Sequence, residues 1–316
     1  VRFGQQELDP GSFLENTMLG WRVLISAILI PAAVGLLVLD AWLGPTAPVL
    51  LLLCTALAFR SSRELIDMLR RTAADPRPFP VGVSLVLLLV VTWLPHWLHA
   101  AEFSPTVRAA APELGEAFSL CVLLLMGVRV WRFRESEGHL ISLAAELLVV
   151  TYAGLLLCIT VQLRWLGPES NGYLALGSLL VSTKMGDVGA YTAGRLFGRN
   201  RLAPHLSPGK TWEGGCGALA GGVLGATLWF RLAAPWFGLS WHSGWWGWAV
   251  VYGLLISAMG LIGDLCESLI KREARVKDSA TLLPGFGGLL DLLDSVLYAG
   301  PVAVMFWKSF LESIPS

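Results

Sequence analysis

Charge is what this chain lacks most. Only 15% of its 316 residues are Asp, Glu, Lys or Arg, and 23 acids balance 23 bases to a net charge of zero. A soluble domain carries about 25% charged residues, because its surface needs them. The shortfall excludes a soluble enzyme and a disordered chain. The missing basic excess argues against a nucleic-acid partner. Five cysteines, Cys54, Cys121, Cys158, Cys216 and Cys266, form no C-x-x-C pair and lie in or beside apolar runs. They read as small buried hydrophobes, and a disulfide-stapled secreted domain is excluded. Of the histidines only His96 and His99 share a metal-like spacing. Two ligands make no closed metal site, and beside Trp93 and Trp97 they read as a membrane-interface cluster. No segment alternates apolar and polar residues as a barrel strand would. No repeat, low-complexity tract or clear linker appears. A cleavable signal peptide is not expected, because Glu7, Asp9 and Glu15 precede a first apolar run that is long enough to span.

What is present is hydrocarbon. Hydrophobic residues make up 55% of the chain, Trp occurs 14 times, and the mean hydropathy is +0.64. A transmembrane helix needs about 20 mostly apolar residues. That template predicts an all-α, polytopic bundle of about nine spans, at 21–43, 47–59, 81–99, 117–131, 140–163, 173–193, 214–233, 245–265 and 289–307. Eighteen of the 23 Lys and Arg residues fall in one alternating set of loops, from Arg2 and Arg22 through Arg129 to Lys277, and four (Arg108, Arg164, Arg231, Lys308) in the other. The bias predicts nine crossings with the N-terminus inside and the C-terminus outside. Segment 60–80 mixes Leu65, Ile66, Met68 and Leu69 with charges. It reads either as an interfacial amphipathic helix or as a solvated basic loop.

The two halves differ in kind. Residues 1–170 form N-terminal membrane spans, mostly apolar, with Asp40 at a span end and Glu146 as exceptions. Residues 171–316 are expected to form the catalytic spans with their cytoplasmic loops, because here acids and bases enter the spans, where charge is expensive and usually faces a cavity. Lys184 and Asp187 stand three apart and share a helix face. G-K-T at 209–211 is no P-loop, since Pro204 stands where that motif needs Gly. A small-residue turn with a Lys and a hydroxyl still suits phosphate oxygens. Asp264, Glu267, Ser268 and Lys271 fall at i, i+3, i+4 and i+7, one polar stripe on an apolar helix. Asp291 and Asp294 open the next span, again three apart, after a turn at Pro284-Gly285 and Gly287-Gly288. Carboxylates in a dry site need cations, and Mg²⁺ takes carboxylates, phosphate oxygens and water. Lys and Arg nearby suit a polyphosphate. The spacing points to phosphoryl or nucleotidyl transfer at the cytoplasmic interface.

At these residues the sequence resembles phosphatidate cytidylyltransferases, also called CDP-diacylglycerol synthases. The family signature S-x-[aliphatic]-K-R-x4-K-D-x-small-x2-[apolar]-P-x-H-G-G-x-x-D-R-x-D meets S-L-I-K-R-E-A-R-V-K-D-S-A-T-L-L-P-G-F-G-G-L-L-D-L-L-D at 268–294. D-V-G-A-Y-T-A-G-R-L-F-G at 187–198 and L-A-P-H-L-S-P-G-K-T-W-E-G at 202–214 are similar too. The sequence departs from the family twice: Phe286 replaces a His and Leu292 an Arg. The resemblance implies transfer from CTP to phosphatidate, giving CDP-diacylglycerol and pyrophosphate, with Mg²⁺ and room for a second cation. It implies catalytic roles for Asp264, Lys271, Asp291, Asp294, Lys277 and Asp278. Substrate contacts fall to Ser207, Lys210, Thr211, Glu213, Ser268, Arg272, Gly287 and Gly288, and metal ligation to Asp187, Asp264, Glu267, Asp291 and Asp294. A bacterial cytoplasmic membrane is the expected location, with the site facing the cytoplasm; membrane lipid is a partner, and a homodimer is allowed. Rival readings are a CTP-dependent kinase of polyprenol-type alcohols, a cytidylyltransferase for another lipid phosphate, a catalytically degenerate paralogue and a transporter. A transporter would spread polar residues through inverted repeats, whereas here they concentrate in one half.

Overall fold

Helices follow the apolar runs. The computed structural model describes residues 31–32, 34–133, 138–167, 171–238, 245–280 and 287–313. Helix α1 covers 34–42, followed by α2 (Pro48–Leu69), α3 (Pro78–Ala100), the short α4 (Pro105–Ala109), α5 (Leu114–Trp131), α6 (His139–Val149) and α7 (Leu156–Val161). The second half holds α8 (Asn171–Phe197), α9 (Trp212–Ala233), α10 (Trp245–Glu273) and α11 (Leu290–Ser313). Helices α2, α3 and α4 each place Pro in the first turn, where the missing N–H costs nothing. A π-helical turn at Val150–Leu155 joins α6 to α7.

Six helical elements among the described residues are long and apolar enough to cross a membrane: Pro78–Ala100, Leu114–Trp131, His139–Trp165, Trp212–Phe237, Trp245–Glu273 and Leu290–Glu312. The runs at 47–59 and 173–193 also lie on helices. The charges of α2 (Arg60, Arg63, Glu64, Asp67) and α8 (Lys184, Asp187, Arg195) hold those two below the same apolarity. The first run is described only from residue 31, and residues 21–30, Arg2, Arg22, Pro284-Gly285 and Phe286 lie outside the described residues.

Two expectations need correction. Segment 60–80 is not one solvated loop: residues 60–69 are the last turns of α2, with Glu64, Leu65, Ile66 and Met68 buried, and residues 78–80 open α3. Arg63 and Asp67 are exposed, whereas Glu64 turns into the bundle with the apolar residues. Strands, which the continuous apolar runs gave no reason to expect, do occur: β1 (Arg201–Ala203) pairs antiparallel with β2 (Ser207–Thr211). Pro204 and Pro208 bar a helix there, and the hairpin joins α8 to α9. Of the cysteines, Cys54, Cys121 and Cys158 are buried as expected, whereas Cys216 is exposed.

Close backbone approach fixes the hairpin's base. A Cβ at Gly189 of α8 would run into the carbonyl of Gly217, and one at Gly221 into that of Met185. Helices α8 and α9 therefore pack through small residues, as membrane helices do. Helix α11 packs on α7, α8 and α10, joining the two halves. At one end of the bundle Trp307 Nε1 donates to Ser178 Oγ (3.1 Å), which lies 2.8 Å from the Tyr252 hydroxyl. His96 stacks on Trp165 with ring centroids 3.8 Å apart. Asp264 is twelve residues beyond Tyr252 on α10, about 18 Å along the helix, so the acids occupy the other end.

Candidate active site

The polar stripe of α10, the start of α11 and the β-hairpin enclose a cavity of about 670 Å³. Its walls include Asp187, Tyr191 and Arg195 of α8, Gly209, Lys210 and Thr211 of the hairpin, and Asp264, Glu267, Lys271, Asp291, Asp294 and Ser295 of the two acidic helices. Thr211 caps α9, accepting from the Gly214 amide at 3.1 Å, so the N-terminal turn of α9 also faces the cavity. A helix N-terminus is a favourable place for an anion.

The acids divide into two kinds. Asp264, Glu267 and Asp294 bring one carboxylate oxygen each within 4.8 Å of one another. Glu267 and Asp294 are buried, and Glu267 Oε1 has no hydrogen-bond partner among the described residues. Three hard oxygen donors with an unpaired buried oxygen among them fit a hard divalent cation. Asp291, one turn from Asp294, is placed differently. Its Oδ1 takes the Lys271 ammonium at 2.7 Å, and its Oδ2 accepts from Ser279 N (3.0 Å), Ser279 Oγ (2.8 Å) and Gly288 N (2.7 Å). Both oxygens are thus spent on protein groups. Asp187 lies outside the carboxylate trio and pairs with Lys184 at 2.9 Å.

Two lysines bring positive charge to the trio. Lys271 bridges Glu267 (2.9 Å) and Asp291 (2.7 Å). Lys210 reaches across from the hairpin to lie 2.8 Å from Asp264 Oδ2, and its buried ammonium makes no aligned hydrogen bond among the described residues. Lys184 also touches the backbone carbonyl of Leu292 at 3.3 Å. Arg195 donates to the Tyr191 hydroxyl at 2.7 Å on the cavity's rim.

Other expected site residues stand back from the cavity wall. Glu213 receives the amides of Arg199 and Asn200 and the Asn200 side chain, closing the turn that leads into β1. Arg272 donates to the Leu206 carbonyl, tying the end of α10 to the hairpin turn. Ser207 forms part of the β-ladder and Ser268 is buried behind the stripe. Lys277 and Asp278 are exposed. Gly287 and Gly288 hold the loop: Gly287 has φ +85°, and a Cβ on it would lie 2.5 Å from Asp291 Oδ2. A Cβ at Gly288 would collide with Ser279 Oγ.

Glu64 was not legible as part of this region. It enters from α2 and accepts from Leu289 N (3.1 Å) and Leu290 N (2.9 Å), with Arg60 at 2.9 Å, and it shares the single Ser279 hydroxyl proton with Asp291 at 3.0 Å. It therefore caps α11 and holds the loop that anchors Asp291. The available signal was an acid on the same face as Met68, four residues on, at the charged end of an apolar run.

A family model described as the cytidylyltransferase family matches residues 20–310. A phosphatidate cytidylyltransferase of Synechocystis sp. is 31% identical, over 90% of this chain and 95% of its own. One of Mycobacterium leprae is 30% identical over 93% and 89%, and one of Brucella suis is 34% identical over 74% and 88%.

Proposed function

The chain belongs to the cytidylyltransferase family, and from that premise we infer that it transfers the cytidylyl group of CTP to phosphatidate, giving CDP-diacylglycerol and pyrophosphate. The observation that carries this reading is the meeting of the Asp264–Glu267–Asp294 trio with Lys210 and Lys271 in one cavity of about 670 Å³. That volume lies within the roughly 300–1,000 Å³ range of ligand pockets. The relatives named above are cytidylyltransferases, which disfavours the kinase and transporter readings.

Asp264, Glu267 and Asp294 would hold Mg²⁺. When bound, the cation supplies charge neutralisation at the α-phosphoryl oxygens and the leaving pyrophosphate. Lys210, with protons left over from its ion pair, meets the triphosphate from the hairpin side. Lys271 stabilises charge at the opposite wall, oriented by Glu267 and Asp291. The N-terminal turn of α9 adds its dipole. A phosphate oxygen of phosphatidate forms the new P–O bond to the α-phosphorus, and the bond from that phosphorus to pyrophosphate breaks. The nucleophile is already an anion, so no general base is required. The cavity's position at the end of apolar helices lets a two-tailed lipid enter from the side while CTP arrives from water.

All nine apolar runs cross the membrane in this reading, with the N-terminus and the active site on the cytoplasmic side of a bacterial inner membrane. The Lys and Arg bias supports that orientation. The test is pyrophosphate release by the purified protein in lipid. We expect release from CTP only when phosphatidate and a divalent cation are both present. Release independent of phosphatidate, or none with all three components, overturns the assignment.

A further inference from the structure

The hydrogen bonds around Asp291 do not end at the cavity wall. Ser279 and Gly288, which hold Asp291 Oδ2, are themselves held from α2 by Glu64, which is only 3% exposed. Glu64 Oε2 lies 3.0 Å from Ser279 Oγ and accepts from the Leu290 amide at 2.9 Å, while Oε1 accepts from the Leu289 amide at 3.1 Å. Ser279 has one hydroxyl proton for two carboxylates, and its amide holds Asp291 as well. A Cβ on Gly288 would lie 2.5 Å from Glu64 Oε2 and closer still to Ser279 Oγ, so glycine alone lets the backbone pass there. A continuous chain results. Glu64 meets Ser279 Oγ at 3.0 Å, Ser279 Oγ meets Asp291 Oδ2 at 2.8 Å, Asp291 Oδ1 meets Lys271 Nζ at 2.7 Å, and Lys271 Nζ meets Glu267 Oε2 at 2.9 Å. Its last three members line the cavity. A helix N-terminus is capped well by a neutral Ser, Thr or Asn, whereas a buried carboxylate is costly to keep. Glu64 is therefore more than the end of α11 requires. Lys271 carries its ammonium on a long flexible stem, so its place is set by the carboxylates that it meets.

We propose that Glu64 is a positioning residue of the reaction: by holding Ser279 and the 289–290 amides from α2, it fixes Asp291 and, through Asp291, the Lys271 ammonium in the cavity. The chain carries position, and no proton needs to move along it. It gives the N-terminal half, mostly apolar in sequence, a part in turnover. The inference rests on the cytidylyl-transfer reading above.

The test is steady-state kinetics of the full-length protein in phosphatidate-containing vesicles, with turnover expressed per folded molecule. Glu64→Ala should lower kcat by about 10²-fold, the cost of misplacing a catalytic group by about 1 Å. KM for CTP should stay within about threefold of wild type, because Lys271 acts on charge in the transition state. Ser279→Ala breaks the chain but leaves Glu64 on the end of α11. It should lower kcat about tenfold, the loss of one hydrogen bond to a charged group, and it covers a Glu64 variant that does not accumulate. The decisive measurement places either substitution in a Lys271→Ala background. A residue that acts through Lys271 adds less than about threefold to the loss there. One that only supports the fold costs as much there as in wild type, and that result overturns the proposal. If wild type turns over and both variants match it, the transfer reading stands and the role of Glu64 falls. A wild type without phosphatidate-dependent turnover overturns both.

Discussion

Two buried carboxylates, one in each half of the molecule, show what separates a structural charge from a working one. In the N-terminal half Glu146 of α6 meets Arg129 of α5. Its Oε2 accepts from Arg129 Nε at 3.1 Å, and its Oε1 takes Arg129 Nη2 and the Arg77 amide. Arg129 also donates to the Asp75 carbonyl, and Ser142 accepts from the Asp75 amide. Every oxygen of Glu146 is used to tie the 75–77 turn to α5 and α6. In the C-terminal half Glu267 is as deeply buried, yet among the described residues it spends only Oε2, on Lys271, and keeps Oε1 unpaired beside two more acids. Burying a charge without full compensation is costly. A closed pair stabilises the fold, and an open one keeps its oxygen for a ligand at the fold's expense.

The sharpest way to break that contrast is to neutralise each acid. Glu267→Gln, or Asp264→Asn, should lower lipid-dependent CTP turnover by about 10³-fold or more. The melting temperature should not fall, because a crowded negative charge is removed and Lys271 keeps Asp291. Glu146→Gln should do the reverse. Arg129 would be left buried without its anion, at a cost of about 3–5 kcal/mol, seen as a large drop in melting temperature with turnover per folded molecule nearly unchanged. Equal effects of the two variants on both measurements would erase the distinction.

Lys210→Ala tests the hairpin's contribution. It should reduce kcat/KM for CTP by about 10²-fold, read from steady-state kinetics, with the fold intact. Unchanged kinetics would assign the 207–211 strand a purely structural role.

The smallest effect concerns Lys184. Its pair with Asp187 is about half exposed, a setting in which ion pairs contribute about 0–1 kcal/mol. Lys184→Ala should therefore cost no more than about fivefold in turnover. Because Lys184 also reaches the carbonyl of Leu292, where the resembling family carries Arg, the loss should vanish in a Leu292→Arg background. A silent wild type that Leu292→Arg awakens would instead mark a degenerate enzyme.

Much of this site could be read from spacing. Asp264, Glu267 and Lys271 repeat at helical intervals, and all three line the cavity. The G-K-T segment, folded as the end of β2, brings Lys210 there as well. What spacing could not divide was Asp291 from Asp294. They stand three apart, but only the folded loop shows that Ser279 and Gly288 occupy Asp291. Glu64 was hidden for the same reason. Its loop partners Ser279, Leu289 and Leu290 lie more than two hundred residues away, and its own neighbourhood reads as a basic flank. The hairpin escaped notice because three- and five-residue strands carry no usable alternation. The helices were legible because twenty-residue apolar runs need no distant partner to declare themselves.

The central claim is that the cytidylyl group, and not the terminal phosphate of CTP, reaches the lipid. It is tested most directly by giving the wild-type protein in phosphatidate-containing vesicles CTP labelled either at the α- or at the γ-phosphorus, and counting label in the extracted lipid. The account predicts that α-label enters the lipid and γ-label leaves as pyrophosphate; γ-label in the lipid, or neither label there, would contradict it.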